Sequence, residues 1–298
     1  MKPHQLQAFV AVVEQQSIRA AARMLDLSQP AVTKTVRELE RELGAPLVER
    51  SVKGVQLTEF GRAFAPRARL LLADMQRARD EIAQIRDGLT GRVALAVSTS
   101  FALTLLPDAF QDFHTRLPAV DVQFSETVLP WMLARLREGA LDFAVTHVVP
   151  QRLDPEFEAM ALFPVKLVVG VRQRHPLRAS RSLRDLSRAE WILPGDDQFG
   201  GRDAISALLP PGLPPPARVI QGQSAMVALA LVGKMDLVGL FVEPLAELGF
   251  KRHGIRRIEI EEELPTLSVS VITRRGQRLT PAARHFVECI QRASARAA

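Results

Sequence analysis

The stretch SQPAVTKTVRELERELGAPLVER (residues 28–50) decides how the N-terminal part of the chain is read. Ser28 is a capping residue, Pro30 stands near a helix start where a missing N–H is harmless, and Gly44 marks a stop. Between them Val32, Val36, Leu39 and Leu43 recur at helical spacing and predict a buried stripe. Gln29, Thr33 and Arg37 lie at i, i+4 and i+8 with Lys34 alongside, which predicts a second face of hydrogen-bonding groups and cations. Either this face is the solvated side of an ordinary helical bundle, or it meets a polar partner.

Upstream, Leu6, Phe9, Val10 and Val13 follow i, i+3, i+4, i+7 and predict a first helix. Ser17 can cap a second, with Ala20, Ala21, Met24 and Leu25 turned inward, before the tight turn at 26–28. Two short helices and a turn feeding a polar-faced helix describe a helix-turn-helix, whose second helix enters the major groove. Ser28, Gln29, Pro30, Thr33, Lys34 and Arg37 are its candidate DNA-contacting residues. Downstream, LVERSVKGVQLT (47–58) reads as a β-hairpin wing with Arg50 and Lys53 near its tip, placed to grip the sugar-phosphate backbone.

These stretches, LQAFVAVVEQQSIRAAARMLDLSQPAVTKTVRELERELGAPLVER and GVQLTEFG, together resemble the DNA-binding domain of the LysR-type transcriptional regulators. The sequence departs from the family pattern at Val48, often Phe, and at Lys53, often Arg. Lys53 keeps the charge but lacks the bidentate fork of a guanidinium.

Composition agrees with a globular, nucleic-acid-facing chain. The 298 residues suffice for two or three domains, and 47% hydrophobic with 24% charged residues excludes disorder. The net charge of +6 favours polyanions, although 33 arginines against 6 lysines is also what codon bias produces. A single cysteine, Cys289, permits no intrachain disulfide and suits a reducing compartment. The apolar run Ala8–Val13 is too short for a signal-peptide core. The segment 226–242 holds Lys234 and Asp236 and reads as helix, turn and strand rather than a membrane span. A cytoplasmic location without a membrane partner is the expectation.

From Thr58, a candidate cap, the apolar positions Phe64, Ala68, Leu71, Met75, Ala78, Ile82 and Ile85 step by alternating three and four. That is a heptad seam on one long helix whose other faces are charged, so a partner helix from a second subunit is expected on it. Pro66 should bend this helix. The resemblance implies the same: linker helices that pair into a coiled coil, giving a homodimer or homotetramer.

Residues 91–298 alternate strand-like and helical runs, the pattern of an α/β architecture, with the chain crossing between two lobes and returning. LREGALDFAV (136–145) resembles the effector-binding domain of the family. The expected fold is multi-domain. An N-terminal all-α winged helix-turn-helix spans 1–57 and a linker helix 58–90. A C-terminal α/β two-lobed, periplasmic-binding-protein-like effector domain spans 91–298, with lobe I about 91–162 and 266–298 and lobe II about 163–265.

Ligands in such folds bind where strands feed helix N-termini. By that rule Ser98, Thr99, Ser100, Leu129, Trp131, Thr146, His147, Phe199, Gly200, Arg202 and Phe241 are the candidate effector-binding residues. Alternatives stand beside several: the hydroxyls at 98–100 could merely cap a helix, Trp131 and Phe241 could be core, and Arg202 could pair with Asp203 or Asp196. A small organic anion, aromatic or not, is the expected ligand.

Catalysis finds no support. The six histidines are scattered, and H-E-x-x-H, C-x-x-C, G-x-S-x-G and G-x-G-x-x-G motifs are absent. Cys289, between Phe286 and Ile290, reads as a buried small hydrophobe, and Asp108 and Asp112 as a solvated helix face. No enzyme activity, metal or cofactor is expected. The expected partners are double-stranded DNA, a small-molecule effector, further copies of the chain and, as a candidate, RNA polymerase.

Overall fold

The computed structural model describes residues 1–51, 54–87, 90–194, 212, 216, 218–222 and 224–297. The chain divides into two compact units, Met1–Arg86 with Arg137–Ala140, and Asp87–Leu136 with Leu141–Ala298.

The first unit opens with α1 (Pro3–Gln15), α2 (Ile18–Met24) and α3 (Gln29–Leu43). Ser17 Oγ accepts the Ala20 N–H and Ser28 Oγ the Ala31 N–H, both at 3.3 Å. Each such cap stabilises a helix start by about 1 kcal/mol. Gly44 closes α3 in the left-handed conformation at φ 71°, where a side chain would be strained. Small residues on three elements, Ala8, Ala11, Ala21, Ala22, Val32 and Val36, pack together, so the helices approach closely. Two sequence expectations shift. Met24 and Leu43 are exposed rather than buried. α2 buries Ala21 and Ala22 instead, and Leu43 stands at the last residue of α3, beyond its packed turns.

An antiparallel ribbon follows, β1 (Val48–Ser51) and β2 (Gly54–Leu57), then α4 (Glu59–Asp87). Thr58 Oγ1 accepts the Gly61 N–H at 3.0 Å, capping α4. The seam read along α4 divides. Ala68 is fully buried with Leu6, Phe9, Leu39, Leu47 and Ala65, and the Phe64 ring packs 5.5 Å from that of Phe9. Ala68 therefore serves the unit's own core and not a partner helix, and Phe64 is half-buried against that core, because the first turns of α4 lie over α1. Ala78 is exposed, and so are Leu71, Ile82 and Ile85, the isoleucines by 64% and 70%; Met75 is half-buried.

The second unit holds two five-stranded sheets. The first runs β4 (Val120–Glu126), β3 (Gly91–Val97), β5 (Phe143–Val148), β12 (Leu267–Arg274), β6 (Phe157–Val165). β3 is parallel to β4 and β5, and β12 is antiparallel to β5 and β6. The unbroken apolar run of β3 is buried, as a parallel strand covered on both faces requires. It carries α5 (Thr99–Thr104), α6 (Leu106–Arg116) and α7 (Leu129–Arg137), while α11 (Pro281–Ala297) returns to pack on α6. There Phe113 stacks on Phe286 at 4.4 Å. Cys289 is buried beside them, and burial pushes its thiol up to about 11, so it behaves as an apolar filler. Asp112 pairs with Arg292 at 2.9 Å.

The second sheet runs β11 (Ile255–Ile258), β7 (Leu167–Arg172), β10 (Leu237–Val242), β8 (Glu190–Pro194), β9 (Arg218–Gly222). Its helices include α8 (Leu183–Leu186), α9 (Ala225–Val232) and α10 (Glu243–His253). The chain crosses from the first sheet at Lys166 and returns before Leu267, so two strand connections join the sheets. Among the described residues no helix is long and apolar enough to cross a membrane.

Candidate DNA-recognition face and effector cavity

On α3 the apolar stripe is buried and the opposite side is open. Ser28, Gln29, Pro30, Lys34 and Arg37 are exposed, and Thr33 is half-buried. Thr33 Oγ1 donates to the Gln29 carbonyl at 2.9 Å, which holds its side chain against the preceding turn. Lys34 is loosely paired with Glu38 at 4.0 Å, an exposed pair of little weight. Glu40 acts within the unit instead, and its Oε1 accepts the Leu47 and Val48 N–H groups at 2.8 and 3.1 Å. This clamps the start of β1 to α3 and sets the angle between helix and ribbon. Arg50 lies in β1 opposite Val55; its side chain and Lys53 fall outside the described residues.

In the second unit a cavity of about 430 Å³ opens at the ends of β3, β5 and β10. Ser98, Thr99, Ser100, Thr127, Thr146 and Ser224 line it from both sheets. Its apolar walls come mainly from Leu129, Leu133, Val148, Leu167, Ile192, Leu240 and Phe241. Ser98 occupies the capping position of α5 but makes no side-chain capping bond. Instead the hydroxyls there join a network: Ser100 Oγ lies 2.9 Å from His147 Nε2 and 3.5 Å from Ser98 Oγ, and Thr99 donates to Glu126. Burial pushes the His147 imidazole down to about 4, so it is neutral near pH 7. Arg152 also lines the cavity. Helices α7 and α9 begin at the cavity, adding N–H groups and positive dipole ends. Among the described residues no cluster of three or more His, Cys, Asp or Glu could hold a metal ion.

Residues 3–62 match the model of the bacterial regulatory helix-turn-helix protein, lysR family, and residues 86–295 match that of the LysR substrate binding domain. The chain belongs to the LysR family of transcriptional regulators. It is 28% identical to the HTH-type transcriptional regulator GbpR of Azospirillum brasilense, over 99% of this chain and 87% of that one. The crystal structure of CbnR, a LysR family transcriptional regulator, superposes with a TM-score of 0.68 at 25% identity, over 99% of both chains. Full-length CbnR complexed with its target DNA superposes at 0.65, also at 25% identity, over 98% of this chain and 100% of that one. This LysR-type protein is thus a DNA-binding regulator with an effector-binding domain, not an enzyme.

Of the effector residues named from sequence, Ser98, Thr99, Ser100, Leu129, Thr146, His147 and Phe241 line the cavity. Trp131 does not. Its ring packs on the core beneath α7 with Arg135 over it at 5.3 Å, because a position two residues into α7 turns it away from the N-terminal end. Phe199, Gly200 and Arg202 lie outside the described residues. Sequence reasoning missed Arg152, Ile192, Leu240 and Ser224. Only Ser224 carried a usable signal, since it stands between a strand and a helix as Ser98 does and caps α9 at Val227 N–H.

Proposed function

We propose that this regulator binds a small organic anion with an apolar body in the 430 Å³ cavity, and that occupancy alters the geometry of its DNA complex. The supporting observation is the composition of the wall. One side offers hydroxyls, a neutral imidazole and helix N-termini; the rest is aliphatic or aromatic. An anion with a hydrophobic remainder satisfies both. Arg37, Lys34, Thr33 and Gln29 read the groove, and Arg50 and Lys53 of the wing hold the backbone. Leu71, Met75, Ala78, Ile82 and Ile85 of α4 form the contact to a second copy, making a homodimer that can pair further. RNA polymerase is the protein partner at a promoter, and the cytoplasm the compartment.

The effector acts by population shift. Two subunit arrangements exist, and a ligand moves the balance only through unequal affinity for them. A thermal-shift screen of small carboxylic acids tests the reading. At least one acid should raise the melting temperature of the parent but not of Ser100→Ala, whose DNA binding stays intact. An acid that stabilises both equally places the ligand elsewhere.

A further inference from the structure

Cations gather at the end of the second sheet that is remote from the cavity. Three segments meet there. Arg172, the last residue of β7, stands opposite Ile255, and its guanidinium holds Asp236 at 2.7 Å. The Gln173 N–H donates to the Gly254 carbonyl at 3.0 Å, and its side-chain amide donates to the Ile255 carbonyl at 3.2 Å. Gly233 lies so near the His253 carbonyl that an added Cβ would stand 2.1 Å from it. Residues 172–178, 233–236 and 251–256 are therefore neighbours.

Those segments hold seven cations (Arg172, Arg174, Arg178, Lys234, Lys251, Arg252 and Arg256) and one carboxylate, Asp236. The difference, 7 − 1 = +6, equals the net charge of the whole chain, +6, so the remaining residues balance. All but Arg172 are exposed, and Arg174, Lys251, Arg252 and Arg256 hold no carboxylate among the described residues. Lys251 and Arg252 offset the dipole at the end of α10. That role does not account for Arg174, Arg178, Lys234 or Arg256. β7 runs from Leu167 at the cavity to Arg172, five steps of ~3.3 Å or about 17 Å, so the patch is separate from the effector cavity.

Protein interfaces centre on apolar and aromatic anchors, whereas a phosphate backbone needs only distributed cations. Here Met235 is the single large apolar side chain exposed among these segments. The family's winged helix binds duplex DNA, so a polyanion is already a partner of this chain. We infer that this face of the effector-binding domain grips the sugar-phosphate backbone of duplex DNA, apart from the recognition helix.

The test compares full-length parent with Arg174→Gln/Arg252→Gln/Arg256→Gln. Each is titrated by anisotropy against a random duplex of roughly 60 base pairs, over about 50 to 300 mM salt. The slope of log affinity against log salt should become shallower by up to about 2.7, three contacts at ~0.9 each. The matching triple lysine variant should keep the parent slope, because a point charge suffices for a phosphate. Equal melting temperatures establish that all three proteins are folded. A glutamine variant with the parent slope overturns the inference. If that variant also loses binding to RNA polymerase holoenzyme, the patch belongs to an acidic protein surface, which overturns it too.

Discussion

His147 offers a perturbation whose size follows from its setting. Its ring touches Ser100 at 2.9 Å and sits at the cavity wall, where burial moves it from 6.5 to about 4. The unfolded chain takes up a proton near 6.5, and the folded protein does not until about 4. The unfolded state therefore binds more protons throughout this window, and stability falls as pH falls across it. Above the window, and again below pH 4, this residue contributes no slope. The window, 6.5 − 4 or about 2.5 in pH, at ~1.36 kcal/mol per pH unit, sets a ceiling of about 3 kcal/mol. The ring keeps part of its surface toward the cavity, so water there reduces the loss to about 2–3 kcal/mol. The assay is urea unfolding from pH 4.5 to 8, followed by the fluorescence of Trp131 and Trp191, for the parent and for His147→Gln. Glutamine preserves a hydrogen bond to Ser100 and does not titrate, and the subtraction removes His175 and the carboxylates. Parent minus variant should decline by roughly 1 kcal/mol per pH unit between about pH 6 and 4.5. A difference constant within about 0.3 kcal/mol would refute the placement of a neutral imidazole in this cavity.

Three further outcomes follow from the first unit. Gly61→Ala should destabilise the N-terminal unit by more than about 3 kcal/mol, because its Cβ would stand 1.9 Å from the Leu47 carbonyl oxygen; denaturant melts check this. Ile82→Asp with Ile85→Asp should shift the protein toward a smaller species in sedimentation, with secondary structure unchanged, since both side chains are exposed. Thr33→Ala and Lys34→Ala should each weaken operator binding by about 1–3 kcal/mol and relax sequence preference. Equal losses on operator and random DNA would instead mean that these residues touch only phosphates.

The parts of this protein that are local in sequence were legible there. The caps at Ser17, Ser28 and Thr58, the stripe Val32–Val36–Leu39 and the stop at Gly44 each depend on residues within a few positions. Serines and threonines between a strand and a helix pointed to the polar side of the cavity for the same reason. Contacts made over long sequence separations were not legible. The clamp from Glu40 to the start of β1 joins residues that carry no shared pattern. Ile192 and Leu240 line the cavity but sit in apolar strands that read as plain core. The seam on α4 was continuous in sequence, yet Ala68 is buried in the unit's own core and Phe64 packs half-buried against it, since periodicity reports which face is apolar and not what covers it.

The most direct measurement is a hydroxyl-radical footprint of full-length protein on its operator, with and without the acid that raises its melting temperature. The account predicts protection at the two half-sites in both states, with the acid changing the protected phosphates or the spacing between them. Identical footprints at saturating acid would contradict it, because a ligand held in the cavity would then leave the DNA geometry untouched.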